Sequence, residues 1–239
     1  MAYQAIFKRY ELKYLLSRDQ QEQLLQVMQP YMALDKYGHT TIRNIYFDTN
    51  TYRLIRRSLE KPVYKEKLRI RSYAKAEPES PVFAELKKKY QSVVYKRRVV
   101  MPEHKAVGWL CGGKVCPAPS QIADEIDYFR SFYDTLHPAV FLSYERDAYY
   151  SLEGDDFRVT FDENILSREE ELSLGAEVWG MPLLQENQVL MEIKTPGGIP
   201  LWMTHFLTQH NLFQTSFSKY GTAYNNTILA KHFGGRLYA

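Results

Sequence analysis

Cations recur at every second position along several stretches of this sequence. In Lys65-Glu66-Lys67-Leu68-Arg69-Ile70-Arg71-Ser72-Tyr73, successive strand side chains point to opposite faces, so Lys65, Lys67, Arg69 and Arg71 share one side. Glu66, Leu68, Ile70 and Ser72 share the other. A helix would scatter these cations around a cylinder, and Leu68 and Ile70 make no apolar stripe at helical spacing. The pattern returns as Glu85, Lys87 and Lys89 against Ala84, Leu86 and Lys88, and as Lys96 and Arg98 with Arg97 opposite. It returns again as Glu192 and Lys194 against Val189, Met191 and Ile193, as Arg9, Glu11 and Lys13 against Tyr10, Leu12 and Tyr14, and as Arg158, Thr160 and Asp162 against Val159 and Phe161. One such strand alone reads as a half-buried strand showing charge to water. Recurrence points to charged faces that meet.

Guanidinium and ammonium groups on converging strands suit phosphate oxygens, Arg by bidentate hydrogen bonds and Lys as a compact point charge. With Lys65, Lys67 and Arg146 included, the proposed faces carry thirteen cations against four acids, although the formal net charge is only +3. That is too much charge for one monophosphate, and it suits a triphosphate or a longer phosphate chain. Uncompensated ions in a partly dehydrated space cost several kcal/mol each, so water or a polyanion must offset them. Glu11, Glu85 and Glu192 lie beside the cations. They can hold Mg²⁺ or Mn²⁺, hard ions that prefer carboxylate oxygen, or they can pair with the neighbouring cations.

The elements that position these residues follow from the rest of the chain. With 239 residues, 45% apolar and 25% charged, the composition is that of a soluble globular protein, read here as a single domain over 1–239. No run approaches the ~18 apolar residues of a membrane span and no secretion signal is visible, so a cytoplasmic protein without a membrane segment of its own is expected. Cys111 and Cys116 alone are too few for a zinc site. Ser17 with Gln20 forms a capping-box pattern before a helix carrying Leu24, Leu25 and Met28. A strand over 42–48, a short helix to about Leu59, and a hairpin over 82–90 and 93–100 are expected. A helical insertion follows at about 102–136, with Ile122, Ile126, Phe129 and Tyr133 at packing spacing. Strands at 139–150, 157–163 and 188–195, a helix over 200–209 and a closing helix complete the reading. Glu169-Glu170-Glu171 reads as a solvated acidic loop. The fold class is α+β, an antiparallel eight-stranded tunnel-like β-barrel with flanking helices.

Neither a Gly-x-x-x-x-Gly-Lys-Ser/Thr loop nor a strand-linked Gly-x-Gly-x-x-Gly is present, so a helix-terminus phosphate cradle is not expected. Positioning and charge neutralisation supply most of the catalysis in phosphoryl transfer, which an array of cations can provide. Nucleic acid is disfavoured as a partner because aromatics such as Tyr10, Tyr14 and Phe161 alternate onto the face opposite the cations, away from where bases would stack.

The ordered set Tyr10-Glu11-Leu12-Lys13-Tyr14, Leu68-Arg69-Ile70-Arg71-Ser72-Tyr73, Glu85-Leu86-Lys87, Tyr95-Lys96-Arg97-Arg98, Tyr144-Glu145-Arg146, Phe157 to Asp162, Met191-Glu192-Ile193-Lys194 and Ser216-Phe217-Ser218-Lys219-Tyr220 resembles the VTC domain. That is the catalytic domain of the vacuolar transporter chaperone polyphosphate polymerases, in the triphosphate tunnel metalloenzyme superfamily. The resemblance implies a polyphosphate polymerase that moves the γ-phosphoryl group of ATP, or another nucleoside triphosphate, onto inorganic polyphosphate with Mn²⁺ or Mg²⁺. Carried over by motif, Lys13, Arg69, Arg71, Lys87, Lys96, Arg98, Arg146, Arg158 and Lys219 would hold phosphates and Glu192 the metal; Lys194 shares the face of Glu192. The amino-terminal motif is Glu-Leu-Lys, with Arg9 where the superfamily's triphosphatases carry a first Glu. That favours the polymerase branch, and with no counterpart here of the regulatory domain and membrane segments of the eukaryotic proteins, the resemblance is to a stand-alone bacterial member. The alternatives are a triphosphatase acting on tripolyphosphate or a nucleoside triphosphate, and a non-catalytic polyphosphate-binding module.

Overall fold

The alternating stretches are strands. The structure, a computed structural model, describes residues 10–91 and 93–233, so the expectations for Arg9 and for the chain before Tyr10 lie outside the described residues. The elements are β1 (Tyr10–Ser17), α1 (Arg18–Met28), β2 (Met32–Leu34), β3 (Thr40–Asp48), α2 (Arg53–Leu59), β4 (Tyr64–Tyr73), β5 (Pro81–Tyr90), β6 (Val93–Pro102), α3 (Glu103–Leu110), α4 (Gln121–Phe132), β7 (His137–Ser151), β8 (Arg158–Arg168), β9 (Met181–Pro182), β10 (Gln188–Thr195) and α5 (Leu201–Gln209). The last helical stretch runs through α6 (Lys219–Ala223), a π turn (Tyr224–Ile228) and α7 (Leu229–Phe233). Ser17 both ends β1 and starts α1. Its Oγ accepts from the Gln20 amide at 3.2 Å, and the Gln20 side chain accepts from the Ser17 amide at 2.9 Å, a reciprocal cap of the kind that stabilises a helix start by about 1 kcal/mol.

The strands form one antiparallel sheet in the order β1-β10-β8-β7-β3-β4-β5-β6, with β2 on β7 and β9 on β8. The path of eight strands matches the expected number, and among the described residues no ladder joins β1 to β6, so hydrogen bonds do not close this sheet. Alternation fixes which face a residue takes and says nothing of the tilt and stagger that closure requires. The two extra strands, three and two residues long, are too short to show any period.

Two compact units divide the chain. One holds the described parts of 1–40 with 144–165 and 184–218; the other holds 41–143, 166–183 and the described part of 219–239. Each has its own core. In the first, Leu24 and Met28 of α1 and Met203 and Phe206 of α5 pack with Tyr14, Val159, Phe161, Met191 and Ile193. These strand residues alternate with the polar set Lys13, Thr160, Asp162 and Glu192. In the second, Leu68 and Ile70 of β4 and Val82, Ala84 and Leu86 of β5 pack with Trp109 of α3, Ile126 and Phe129 of α4, and Tyr133. Each fully buried large side chain of this kind stabilises by about 1.5–3 kcal/mol. The helical insertion therefore covers the apolar face of β4 and β5, where Lys88 pairs with Glu125 of α4 at 3.3 Å, and the other cations of these strands occupy the opposite face. No helix among the described residues is long and apolar enough to cross a membrane.

One expected loop is more ordered in its contacts than a solvated run would be. Glu169 accepts from the Tyr52 hydroxyl at 2.9 Å, lies 2.6 Å from His232 Nε2 and pairs with Lys231 at 3.5 Å. Three consecutive acids give no sign of such partners, which come from distant segments.

Buried Asp48 ties β3 to two helices. Its Oδ1 accepts from the amides of Thr49 and Leu54 at 2.8 Å, and its Oδ2 from the Ile55 amide and the Tyr220 hydroxyl at 2.9 Å. It thus caps α2 across an intervening turn in which Tyr52 takes a left-handed φ of 55°. Asp48→Ala strands several buried donors and is expected to cost about 3 kcal/mol or more in urea unfolding, whereas Tyr220→Phe, which deletes a single donor, costs about 1 kcal/mol. Equal effects would show that the capping bonds carry little.

Candidate functional site

In the 41–143 unit the ladder registers arrange the polar face in rows across the strands. Tyr46, Arg69, Glu85 and Arg98 are successive cross-strand partners, as are Asn44, Arg71 and Phe83. Lys67, Lys87 and Lys96 form the next row, and Lys65 faces Lys89. Adjacent strands lie about 4.8 Å apart, so directly opposed like charges repel. Lys65 registers this: its ammonium pKa is lowered by burial first and then by Lys89, Lys87 and Lys61. Lys65 also donates to the Ser58 carbonyl at 3.2 Å.

Glu85 anchors the centre of this face. Its side chain is 1% exposed, with Arg69 Nη2 at 2.7 Å, Arg69 Nε at 2.9 Å and Lys96 Nζ at 2.5 Å. Burial works to raise its pKa, but Arg69, Arg71 and Lys96 outweigh it and hold the carboxyl well below the usual range. Lys96 is lowered to about 8, by burial first and then by Arg69 and Arg71 against the opposing pull of Glu85. With 40% of its side chain open, Lys96 remains reachable from solvent. Arg98 is exposed and lies 5.1 Å from the Phe83 ring. Lys219 is half-buried at the start of α6.

In the other unit the rows are Glu11, Lys194 and Arg158, then Lys13, Glu192 and Thr160. Lys13 Nζ donates to the Phe217 carbonyl at 2.8 Å, which ties β1 to the segment around Phe217. Glu192 is largely buried, with Lys194 Nζ 3.2 Å from its Oε1. Arg146 makes a two-pronged pair with fully buried Asp162, at 2.5 and 2.6 Å. Arg158 is 58% exposed at the start of β8, with its Nε 3.8 Å from Asp156.

The site residues expected from sequence thus fall into two groups, one per unit: Lys13, Arg146, Arg158, Glu192, Lys194 and Glu11 in one, and Arg69, Arg71, Lys87, Lys96, Arg98, Glu85 and Lys219 in the other. Alternation places Asp162 on the charged face without giving it the partner Arg146, and it gives Asn44 and Tyr46 no role, since both are neutral and meet their arginines only through register. Aromatic placement also differs from expectation. Tyr14 and Phe161 lie in an apolar cluster as expected, but Tyr46 and Phe83 lie against Arg69 and Arg98, at 5.5 and 5.1 Å. Their rings are engaged by guanidinium groups.

Glu192 offers a carboxylate and its register partner Thr160 a hydroxyl whose Oγ1 is buried with no hydrogen-bond partner; both are oxygen donors of the kind Mg²⁺ and Mn²⁺ take, and Lys194 Nζ stands 3.2 Å from the same carboxylate. A second group, His39, Asp147 and Glu163, brings possible ligand atoms within 4.8 Å of one another. Arg18 lies 2.7 Å from Glu163, so this acid already has a cation beside it, and His39 Nδ1 lies 3.1 Å from Asp147.

A family model described as the VTC domain matches residues 8–228. No curated protein matches the chain. Among solved structures it is similar to a putative adenylate cyclase from Bacillus halodurans, with a TM-score of 0.55 and 16% identity over 96% of this chain and 99% of that one. It is also similar to a putative adenylyl cyclase from Hippeastrum described as having a dominant triphosphatase activity, at a TM-score of 0.49 and 17% identity over 88% of this chain and 92% of that one. At such identities the likeness is one of fold, and the first of the two carries it.

Two expectations follow from the electrostatics. Because the pKa of Glu85 is depressed by folding, its contribution is fully present above the ordinary carboxylate value near 4.3 and is lost as pH falls below it. Glu85→Gln should therefore lower stability by about 3 kcal/mol at pH 7, with the gap to wild type constant down to about pH 5 and closing below pH 4; a gap that closes between pH 7 and 5 contradicts this. For Lys96, wild-type affinity for tripolyphosphate should fall more steeply between pH 7 and 9 than that of Lys96→Met, since the ligand's own titration is common to both; parallel pH profiles would contradict the lowered pKa.

Proposed function

The chain belongs to the VTC domain family, and from that premise we propose that it is a polyphosphate polymerase, transferring the γ-phosphoryl group of ATP to a growing inorganic polyphosphate chain. The observation that carries the reading is the run of like-charge partners Lys65 with Lys89, Lys67 with Lys87, and Lys87 with Lys96. Such a ladder is costly in the free protein and favourable around a chain of phosphates, so binding energy is stored where a polyanion would lie.

Within this reading 1–239 acts as one domain. Arg69, Arg71, Lys87, Lys96, Arg98 and Lys219, and in the other unit Lys13, Arg146, Arg158 and Lys194, bind and orient phosphates. Arginines suit the reacting triphosphate because their planar forks fix oxygen positions; lysines suit a moving chain because a point charge tolerates many geometries. We assign the divalent metal to Glu192, with Glu11 on the neighbouring row, and keep Glu85 as counter-ion to Arg69 and Lys96. The metal, when bound, neutralises charge on the phosphoryl oxygens.

Purified protein incubated with ATP and Mn²⁺ should yield ADP and polymer in equal phosphoryl amounts. Free phosphate without polymer would make it a hydrolase, and no turnover across metals and primers would leave a binding module. Glu192→Gln should lower turnover at least ~100-fold while tripolyphosphate affinity survives, as expected for an electrostatic catalytic group; loss of both together would contradict the metal assignment.

A further inference from the structure

Arg69 and Arg71 are each held by a neutral partner from β3 that lies in the same row. Arg71 Nε donates to Asn44 Oδ1 at 2.9 Å, and the Asn44 amide nitrogen donates onward to the Leu142 carbonyl at 3.0 Å. That second bond fixes which end of the amide faces the arginine. Arg69 Nη1 donates to the Tyr46 hydroxyl at 2.7 Å, while its Nε and Nη2 reach Glu85. The Tyr46 ring also lies under the Arg69 guanidinium and packs on Tyr220 at 5.2 Å. Tyr220 is in turn bonded to Asp48.

Both supports come from register: Asn44 is the cross-strand partner of Arg71, and Tyr46 of Arg69. Both are buried, so neither side chain has room to wander. An arginine gripped at Nε or at one Nη loses the rotation of its guanidinium plane before any ligand arrives. Bidentate recognition of a phosphate depends on that plane, and a side chain already ordered does not lose rotamer freedom on binding.

We propose that Asn44 and Tyr46 are positioning residues for anion binding, setting the guanidinium planes of Arg71 and Arg69 so that a triphosphate meets a preformed pair of forks. This rests on the proposed function in taking a triphosphate as the ligand. Neither residue need touch it. Glu85 compensates charge, whereas Asn44 and Tyr46 are neutral: their removal changes aim without changing the field.

The experiment is a double-mutant cycle read by calorimetric titration with tripolyphosphate at fixed ionic strength, each protein first checked for cooperative thermal unfolding. Tyr46→Phe keeps the ring and deletes the hydroxyl, and should weaken binding about tenfold. Arg69→Lys keeps the charge beside Glu85 but has no plane to set. Adding Tyr46→Phe to Arg69→Lys should therefore weaken binding no further, because coupled residues are non-additive. Asn44→Ala with Arg71→Lys repeats the test, and the Tyr46 cycle stands alone should Asn44→Ala fail to fold. Wild-type affinity retained by Tyr46→Phe, or losses that multiply in the double variant, would overturn positioning while leaving the function intact. A wild-type protein that does not bind tripolyphosphate at all would overturn both.

Discussion

Like charges facing one another across a β-ladder are the constraint to which the rest of this protein answers. Lys65 opposite Lys89 and Lys67 opposite Lys87 are pairs that a sheet selected for stability alone would avoid. They are tolerated because the other face of the same strands buries Leu68, Ile70, Ala84 and Leu86 against α3 and α4. A period of two lets one strand meet both demands at once, since the apolar set and the cationic set never compete for a position.

Compensation is local and sparing. In one unit a single buried carboxylate, Glu85, faces Arg69 and Lys96; in the other, Asp162 takes Arg146 and Glu192 lies beside Lys194. Each acid sits where burial makes its charge most effective. A buried pair of this kind adds little net stability but is costly to break. Its value here is geometric, because it orders the cations while leaving the face positive. The neutral supports, Asn44 and Tyr46, extend the same logic without spending charge.

How much of this could be read beforehand depended on the range of the interaction. The faces of Lys65 to Arg71, the hairpin over β5 and β6, the Ser17–Gln20 capping box and the packing of Ile126 and Phe129 are all set by neighbours a few residues away, and the structure agrees with them. Whatever needed register escaped. Arg146 finding Asp162, Arg71 finding Asn44 and Glu169 finding Tyr52 and His232 depend on which residues lie opposite in space, and period alone leaves that open. Strand number along the main path was legible; the lack of a β1–β6 ladder among the described residues and the short β2 and β9 were not, because closure and pairings of two or three residues leave no mark on alternation. An acid that pairs with cations looks like any other in sequence, so the pairing of Glu85 with Arg69 and Lys96 and of Glu192 with Lys194 became visible only with their partners.

The central claim is that these faces are positive by construction and await a chain of phosphates. It is tested most directly by thermal unfolding with tripolyphosphate, sulfate or chloride at matched ionic strength. The account predicts that tripolyphosphate raises the midpoint well above the other two, in proportion to its occupancy, as a ligand binding only the folded state must. An equal rise with all three anions would mean that salt merely screens the repulsion, and the account would fail.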